Sequence, residues 1–416
     1  MKQSFPIIDK MLTVTLFLFA AFSMFSISIT QISAGLGGLL WLLRSHLTNT
    51  WKEQRWPLVV PILLFALASL VAVANAYDVS YSYKSLKKLL EFLIFFWILN
   101  CIRENNLRNS LSIVFIASAT LSGLLGLYQY WEDFNLCAAS ISTSTQPDSC
   151  FHNLARTGMV SLNRIEGSLS TYMTFAGLLM LSGVIALAWA MFQKQTQRWV
   201  WVSIGIIASA LLLSVTRQAW FGFLTALLFL IFFWRKKVLL LLPIILLIIY
   251  IASPLSTQKR INDMFSGKDK TFGMRVVLWK GGWEIFKDYP LTGCGFKCVD
   301  LVNSQYPDPT GYVARYRGMH NNLIQVAVDT GILGATAWLG IWFCFFRFLY
   351  HKAIALEKKD SDHWVTFGSS AAVLAFLAAG FFETNFYDSE VAMVLFFIMA
   401  LPCSGTQNTT KATVQI

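Results

Sequence analysis

The sequence predicts an all-α, polytopic membrane protein with about twelve transmembrane helices. Of its 416 residues, 56% are hydrophobic and only 13% are charged, whereas soluble domains are roughly half apolar and a quarter charged. Apolar runs about as long as a bilayer core is thick recur from one end of the chain to the other. These runs are 11–29, 57–75, 109–129, 166–191, 199–215, 218–234, 238–253, 323–346, 364–382 and 390–402, and the shorter runs 32–43 and 85–102 complete the set.

The spacing of these runs divides the chain into four parts. Residues 1–253 are expected to hold transmembrane helices 1–9, with an outer loop near 131–165. Residues 254–322 are expected to form a large outer loop that contains short helices, residues 323–403 hold helices 10–12, and residues 404–416 form a cytoplasmic tail. The first apolar run lacks a clear small-residue cleavage site, so we predict that it remains as an uncleaved helix.

Basic residues in the short loops predict the orientation of the chain. If the N-terminus is cytoplasmic, alternate turns are rich in Lys and Arg, as the positive-inside rule requires; these turns contain Arg55, Arg108 and Lys352. Three lysines within 84–88 argue weakly against this topology. Both termini then lie inside the cell, and the two long loops face outward.

The larger outer loop, roughly 254–319, carries ten basic and six acidic residues. This excess indicates either an anionic partner on the outer face or contact with anionic lipid headgroups, and charge alone does not separate the two. The cytoplasmic turns are short, so they offer little surface for nucleotide chemistry, and no nucleic-acid partner is expected. The Asp360-Ser361-Asp362 sequence fits a solvated turn better than a metal site, because no nucleotide-binding unit surrounds it.

Four of the seven cysteines occur as pairs within one outer loop each. Cys137 and Cys150 share the first loop, and Cys294 and Cys298 share the second. Such pairs fit local disulfides in an oxidising compartment, although either pair fits free thiols equally well. No His or further Cys stands at ligand spacing, so no metal ion is expected.

One segment of the large loop has the periodicity of a helix. Arg275, Trp279, Trp283 and Lys287 recur every four residues and therefore share one helical face. The more apolar side consists of Met274, Val277, Leu278 and Ile285. Tryptophan prefers the headgroup level, so this helix is predicted to lie along the outer membrane boundary. Periodicity leaves open whether it has a catalytic duty.

Three arginines, Arg217, Arg275 and Arg317, face outward in this topology. Arginine pairs bidentately with phosphate oxygens and keeps its charge, so the three would suit a lipid-linked phosphate or diphosphate. Arg217 stands between two apolar runs near the outer end of a span. An ionisable group at that place is either functional or an interfacial anchor.

His320 precedes the apolar run 323–346 directly. An imidazole has a reference pKa of about 6.5, so it can accept or donate a proton near neutrality. At the mouth of a span it can meet a water-soluble and a lipid-borne reactant together. Asn321 fits a helix N-cap. Glu383 and Asp388 flank a short outer turn, where they either face the same cavity or mark helix ends.

These segments together resemble the O-antigen ligase and polymerase superfamily of bacterial envelope glycosyltransferases. The resemblance is carried by "SVTRQAW", then "MRVVLWKGGWEIFKDYPLTGCG", then "HNNLIQVAVDTGILG". The shared pattern is an Arg at the outer end of a span, R-x3-W with a downstream P-x2-G-x-G, and H-N-x2-L-x4-[DE]-x-G before the next span. The motifs cover roughly 210–335, and "RIEGSLSTYMTFAG" at 164–177 is similar to an earlier R-x2-G segment of the family.

The resemblance implies a GT-C-like membrane fold and an inverting, metal-independent sugar transfer without a cofactor, on the periplasmic face of the bacterial inner membrane. The donor would be a glycan on undecaprenyl diphosphate, and a ligase would pass it to a hydroxyl of lipid A–core, among membrane lipids. Arg217 and Arg275 would hold the diphosphate and offset its developing charge, and His320 would orient the acceptor hydroxyl or take its proton. Further substrate-binding residues implied for the diphosphate or acceptor are Arg317, Arg164, Trp279 and Asn321.

Two other functions fit parts of this pattern. A polymerase of the same superfamily joins repeat units with the same residue types. A transporter of an anionic lipid or solute could line its path with the arginines, but transporters show repeated halves and broken helices, and the sequence predicts neither.

Overall fold

The computed structural model describes residues 5–143, 164–193, 197–253, 258–259, 261–263, 266, 270–356 and 362–405, and the described part is helical without a strand. Its α-helices are α1 Pro6–Phe22, α2 Ile27–Leu47, α3 Val59–Ala74, α4 Val79–Ser82, α5 Phe92–Cys101, α6 Asn105–Thr143, α7 Tyr172–Phe192, α8 Arg198–Leu213, α9 Arg217–Trp234, α10 Leu242–Ala252, α11 Lys270–Asp288, α12 Val299–Val302, α13 Tyr312–Tyr316, α14 Asn322–Ala355, α15 His363–Ala379 and α16 Ser389–Ala400. The all-α prediction is confirmed.

The centre of the bundle consists of α7, α15 and α16, whose residues are almost all buried. Helix α9 packs against α15 and α7, α14 packs against α3, and α6 packs against α8. Buried tryptophans fill the spaces between helices, among them Trp97 and Trp364. Large apolar side chains of α2 and α10 point outward, as in a helix that faces lipid.

In the part of the chain that the structure describes, five helices are long and apolar enough to cross a membrane: Ile27–Leu47, Asn105–Asn135, Tyr172–Phe192, Arg217–Trp234 and Asn322–Ala355. Shorter apolar helices are Val59–Ala74, Arg198–Leu213, Pro243–Ala252, His363–Ala379 and Ser389–Cys403. Each predicted apolar run coincides with or overlaps a helix. The structure is that of a polytopic membrane protein, and the number of twelve spans stays a prediction.

Two helices extend beyond the apolar runs. The runs 11–29 and 32–43 meet near residue 30, but α2 begins at Ile27, because Ser26 caps it by accepting the Ile29 N–H at 3.4 Å. Helix α6 continues to Thr143, into the region near 131–165 that the sequence assigns to an outer loop, and this loop stays a prediction. Cys137 and Cys150 lie outside the residues whose side chains are described, so their pairing stays a prediction, as does the cytoplasmic tail at 404–416.

Helix α14 is interrupted at Gly331, where φ is 62° and ψ is −165°. The sequence predicted no broken helix, and this prediction is wrong. A left-handed residue cannot continue a right-handed helix, and only glycine adopts this φ at little cost. The interruption separates a short N-terminal part of α14, beginning at Asn322, from the longer part that ends at Ala355.

A turn at 290–295 satisfies the backbone groups that this interruption releases. The N–H of Ile332 donates to the Pro290 carbonyl at 2.8 Å, and the N–H groups of Cys294 and Gly295 donate to the carbonyls of Val328 and Asp329 at 3.0 and 3.1 Å. Non-helical backbone at membrane depth is tolerated only where protein satisfies it. The glycine-rich turn is therefore the structural partner of the interrupted helix.

The two ends of the bundle carry different charged groups. At one end, the Arg108 Nη2 and Lys352 Nζ atoms lie 2.6 and 3.1 Å from the Asp362 carboxylate, and Lys352 also donates to the Pro402 carbonyl at 2.6 Å. Arg55 donates to the Cys403 carbonyl at 2.8 Å. Asp362 is therefore an ion-paired residue and not the solvated one that the sequence suggested. The other end, here called the site end, holds the N-termini of α9 and α14 and the turn after α15.

Candidate functional site at one end of the bundle

The N-terminus of α14 is tied to the turn 380–388 by two asparagines. Asn321 caps the helix by accepting the Ile324 N–H at 3.0 Å, and its Nδ2 donates to the Phe381 carbonyl at 3.1 Å. Asn322 donates to Asn385 Oδ1 at 2.5 Å and accepts the Phe386 N–H at 3.1 Å. These bonds fix the two segments that carry His320 and Glu383.

His320 and Glu383 form a close pair at this junction. The Nδ1 atom of His320 lies 3.1 and 3.2 Å from the two carboxylate oxygens of Glu383. The His320 ring also contacts the Tyr316 ring edge to face, with centroids 6.1 Å apart. His320 has a φ of 45°, and such strained residues cluster at functional sites. The arrangement leaves Nε2 as the ring atom that can meet a reactant.

Arg275 on α11 lies against the same turn. Its side chain is buried, its Nε donates to the Phe382 carbonyl at 2.8 Å, and its guanidinium lies 5.9 Å from the centre of the Phe382 ring. Burial acts to raise the pKa of the Glu383 carboxyl, but hydrogen bonding from His320 and Thr384 and the charges of His320 and Arg275 outweigh it, so this pKa lies below its usual value. Glu383 is therefore ionised at neutral pH.

Trp279 lies one helical turn after Arg275, and its ring packs on Phe382 with centroids 6.3 Å apart. Its Nε1 atom is buried and has no hydrogen-bond partner among the residues that the structure describes. A buried indole N–H normally finds an acceptor. The N–H of Trp279 is thus a donor that a bound molecule could use.

Arg217 is the first residue of α9 and lies at the same end of the bundle. Its neighbour one turn later, Phe221, contacts the Phe382 ring with centroids 5.7 Å apart. Gly222 packs closely on the end of α15, where a Cβ would overlap the Ala375 carbonyl. This close packing holds the N-terminus of α9, and with it Arg217, beside the turn that bears Glu383.

The other predicted arginines lie at the site end but make different contacts. Arg317 is exposed, has a φ of 54° and donates from Nε to the Ala314 carbonyl at 3.1 Å. Arg164 stacks its guanidinium 4.3 Å above the centre of the Tyr172 ring at the start of α7. The structure thus gathers His320, Asn321, Arg275 and Trp279 around 380–388, whereas the contacts of Arg317 and Arg164 are local.

Gln325 links the site to the interrupted part of α14. Its Oε1 accepts the Met319 N–H at 2.9 Å, and its Nε2 donates to Asp329 Oδ1 at 3.1 Å. The Met319 peptide directly precedes His320, so Gln325 fixes the backbone that aims the imidazole. Sequence reasoning missed this role, because a Gln in a helix gives no signal of its own.

Cys294 lies in the turn 290–295 and Cys298 directly precedes α12, and the two are joined by a disulfide. The second cysteine pair in the sequence prediction therefore has its disulfide in the structure. Among the described residues, no three His, Cys, Asp or Glu side chains come together as metal ligands. The absence of a metal from the reaction stays a prediction.

The fold and this site define the class: an all-helical, polytopic membrane protein with a histidine–carboxylate pair and a buried arginine at one end of its bundle. Residues 202–339 match the family model described as O-Antigen ligase, and this match places the region in the O-antigen ligase superfamily. The matched region is about a third of the chain; it contains Arg217, Arg275 and His320, and it ends before Glu383. A comparison with curated proteins found no match.

Proposed function

We propose that this protein is an inverting, metal-independent glycosyltransferase that moves a glycan from undecaprenyl diphosphate to a hydroxyl of lipid A–core, as an O-antigen ligase does. The family match supports an activity of the O-antigen ligase or polymerase type. The observation that carries the proposal is the His320–Glu383 pair, 3.1 Å apart, beside buried Arg275. A general base and a fixed cation are the two groups that transfer from a diphosphate needs.

In the proposed reaction, the acceptor hydroxyl oxygen attacks the anomeric carbon on the face opposite the diphosphate. The new glycosidic C–O bond forms, the bond to the diphosphate oxygen breaks, and the configuration inverts. His320 accepts the hydroxyl proton, while the ionised Glu383 holds the ring through Nδ1 and balances the imidazolium charge, the role of the carboxylate in a catalytic triad. The proton leaves later with solvent or product.

The arginines act on the leaving group in this proposal. Arg275 and Arg217 hold the diphosphate and offset the charge that grows on its bridging oxygen. Trp279 donates its indole N–H to a substrate oxygen, and Asn321 acts by positioning His320, since its amide is engaged by Ile324 and Phe381. Arg317 and Arg164, whose contacts are with residues near them in the sequence, contribute attraction for anionic lipid substrates.

We place the site end on the periplasmic face of the inner membrane. The Cys294–Cys298 disulfide lies at the site end, and structural disulfides persist in oxidising compartments such as the periplasm. The opposite end carries Arg55, Arg108 and Lys352, which agrees with a cytoplasmic side under the positive-inside rule.

Two other functions, those of a polymerase and of a transporter, compete with the proposed ligase function. A polymerase would use the same residues on a different acceptor. The interruption of α14 is a feature of transporters, but here the turn 290–295 bonds the released backbone groups, so the break is filled by protein and does not line an open path.

A His320→Ala variant in cells separates these functions. A ligase predicts bare lipid A–core together with long glycans that accumulate on the carrier at the outer face. Single repeat units on lipid A–core would indicate a polymerase, and glycan retained on the inner face would indicate a transporter. His351→Ala is the matched control, because His351 is exposed near the far end of α14, and we expect it to leave the envelope glycan unchanged.

A further inference from the structure

Helix α11 has three faces of different composition. One face, with Met274, Leu278 and Ile285, is buried in a small core that also contains Met319. A second face is exposed and charged, and it consists of Lys280, Glu284, Lys287 and Asp288. The third face is here called the aromatic stripe, and it consists of Phe272, Trp279, Trp283 and Phe286.

Two of the four rings of the aromatic stripe are exposed, and the other two, Trp279 and Phe286, are half-buried. Trp283 is 58% exposed and Phe272 is 49% exposed. The Trp283 and Phe286 rings stack at 5.5 Å with an interplanar angle of 26°, and Phe272 meets Trp279 edge to face at 6.1 Å. Large aromatic groups exposed together on a folded protein mark a binding surface more often than isolated ones do.

From Trp279 to Phe286, the stripe runs away from the candidate site along the helix axis. Arg275 lies on the same face of α11 as the aromatic residues. Both Arg275 and Trp279 contact the Phe382 ring of the candidate site, so this face begins at the site. Trp283 is eight residues beyond Arg275, which is about 12 Å along a helix. A glycan whose diphosphate rests against Arg275 would reach Trp283 with the sugars that follow the first one.

We infer that the aromatic stripe is a subsite for the sugar units of the glycan donor beyond the sugar that is attached to the diphosphate. The inference rests on the proposed function. The apolar C–H face of a pyranose ring packs on a flat aromatic ring, and its hydroxyl groups point to the sides. Lys287 and Glu284, which pair with each other beside the stripe, supply hydrogen-bonding groups there.

The charged face favours sugars over lipid as the occupant. Lys280 and Lys287 flank Trp283 in the sequence and are exposed, as are Glu284 and Asp288. A helix face immersed in hydrocarbon would have to remove water from these charges at considerable cost. These charges keep the adjoining face of α11 in water, so the stripe lies next to water, where a hydrated glycan reaches it. The buried N–H of Trp279, which has no hydrogen-bond partner in the described part of the chain, marks the point where the stripe enters the site.

The test compares two donors with purified protein in detergent: undecaprenyl diphosphate that carries one repeat unit, and the same carrier with many units. For Trp283→Ala, we expect the ratio of the long-donor KM to the short-donor KM to rise about tenfold, because stacking with distal sugars is lost. Trp201→Ala is the matched control, since Trp201 is 50% exposed near the start of α8 at the other end of the bundle, and this ratio should not change.

Two further variants test the nature of the occupant. Trp283→Phe keeps a flat ring and should retain most of the long-donor preference, whereas Trp283→Leu keeps only an apolar surface and should lose it. Equal behaviour of Phe and Leu variants, with Trp283 fluorescence quenched by nitroxide-labelled lipids, would show a membrane contact and overturn the inference. An unchanged KM ratio in Trp283→Ala would also overturn it. Absence of transfer by the wild-type protein would instead refute the proposed function.

Discussion

The chemistry at the residue scale depends on groups from separate parts of the chain. His320 precedes α14, and its carboxylate partner Glu383 follows α15, 63 residues later in the sequence. Asn321 and Asn322 bond the two segments together. The imidazole is held by Nδ1, and in the proposed reaction Nε2 takes the proton as a general base.

We predict that Glu383→Gln lowers kcat for glycan transfer about 100-fold and changes KM much less. The amide can still hydrogen-bond with the ring, but it cannot balance the imidazolium charge that develops in the transition state. The measurement is steady-state transfer by purified protein. Glu390→Gln is the control, because Glu390 lies in the first turn of the neighbouring α16, which Asp388 caps; an equal loss in both variants would contradict a specific role for Glu383.

The pH dependence of stability gives a second check on this pair. Because the pKa of Glu383 is lowered in the folded protein, its contribution to stability is present above the unfolded pKa of about 4.3 and is lost as the pH falls through the folded pKa. The Tm of the wild type should therefore exceed that of Glu383→Gln near pH 7, and the gap should shrink toward about pH 3. A gap that does not depend on pH would show that the pair is not ionised as described.

The sequence predicted part of this site. The spacing of Arg217, Arg275 and His320 resembled a family pattern, and the structure brings Arg275 to the His320 junction. Glu383 appeared only as an acid flanking a turn, because its pairing is made by tertiary folding and leaves no local pattern. It also lies beyond the region that the family model matches.

At the scale of secondary structure, the interrupted helix α14 and the turn 290–295 form one unit. Gly331 has a φ of 62° and Gly293 a φ of 70°, and a Cβ at either position would overlap the opposing backbone. Gly293 and Gly331 are thus both needed for the backbone of the turn 290–295 to lie against the backbone of α14. Through Gln325, this unit fixes the peptide before His320.

We predict that Gly331→Ala destabilises the protein by more than about 3 kcal/mol, because it adds both backbone strain and a clash with the Leu291 backbone. Gly311→Ala is the matched control: Gly311 has a φ of 67° but nothing within 4 Å of an added Cβ. That variant should lose only about 1 kcal/mol, the cost of the left-handed conformation. The measurement is denaturant or thermal unfolding in detergent, and equal losses would show that the contact with the turn does not matter.

Helix existence was predictable and helix shape was not. Apolar runs identified the spans, since burial in lipid requires them. The break at Gly331 depends on a turn some 40 residues earlier in the chain that supplies the missing hydrogen bonds, and hydropathy carries no information about such a partner. The only local signal of the break is Gly331 itself, within the segment HNNLIQVAVDTGILG.

At the scale of the whole molecule, α15 separates two charged ends. Asp362 at its start pairs with Arg108 and Lys352, and the turn with Glu383 follows its end. The helix has 17 residues, so the two ends lie about 25 Å apart. Burial acts to raise the pKa of Asp362, but Arg108 and Lys352 outweigh it and lower the pKa. The ionised Asp362 therefore holds Arg108 and Lys352 together at the end that we assign to the cytoplasm.

This separation leaves the proposed site at one end of the molecule. Composition alone predicted the membrane fold, and loop charges predicted which groups share a side. The gathering of His320 and Arg275 on one side of a bundle agrees with that prediction.

The most direct test of the account measures glycan transfer by the purified protein, with a chelator present, from undecaprenyl-diphosphate glycan to lipid A–core. We expect that the wild type forms a product with inverted anomeric configuration and that His320→Ala forms it at least about 100-fold more slowly. A wild-type protein that forms no product, a product with retained configuration, or a His320→Ala variant with full activity would contradict it.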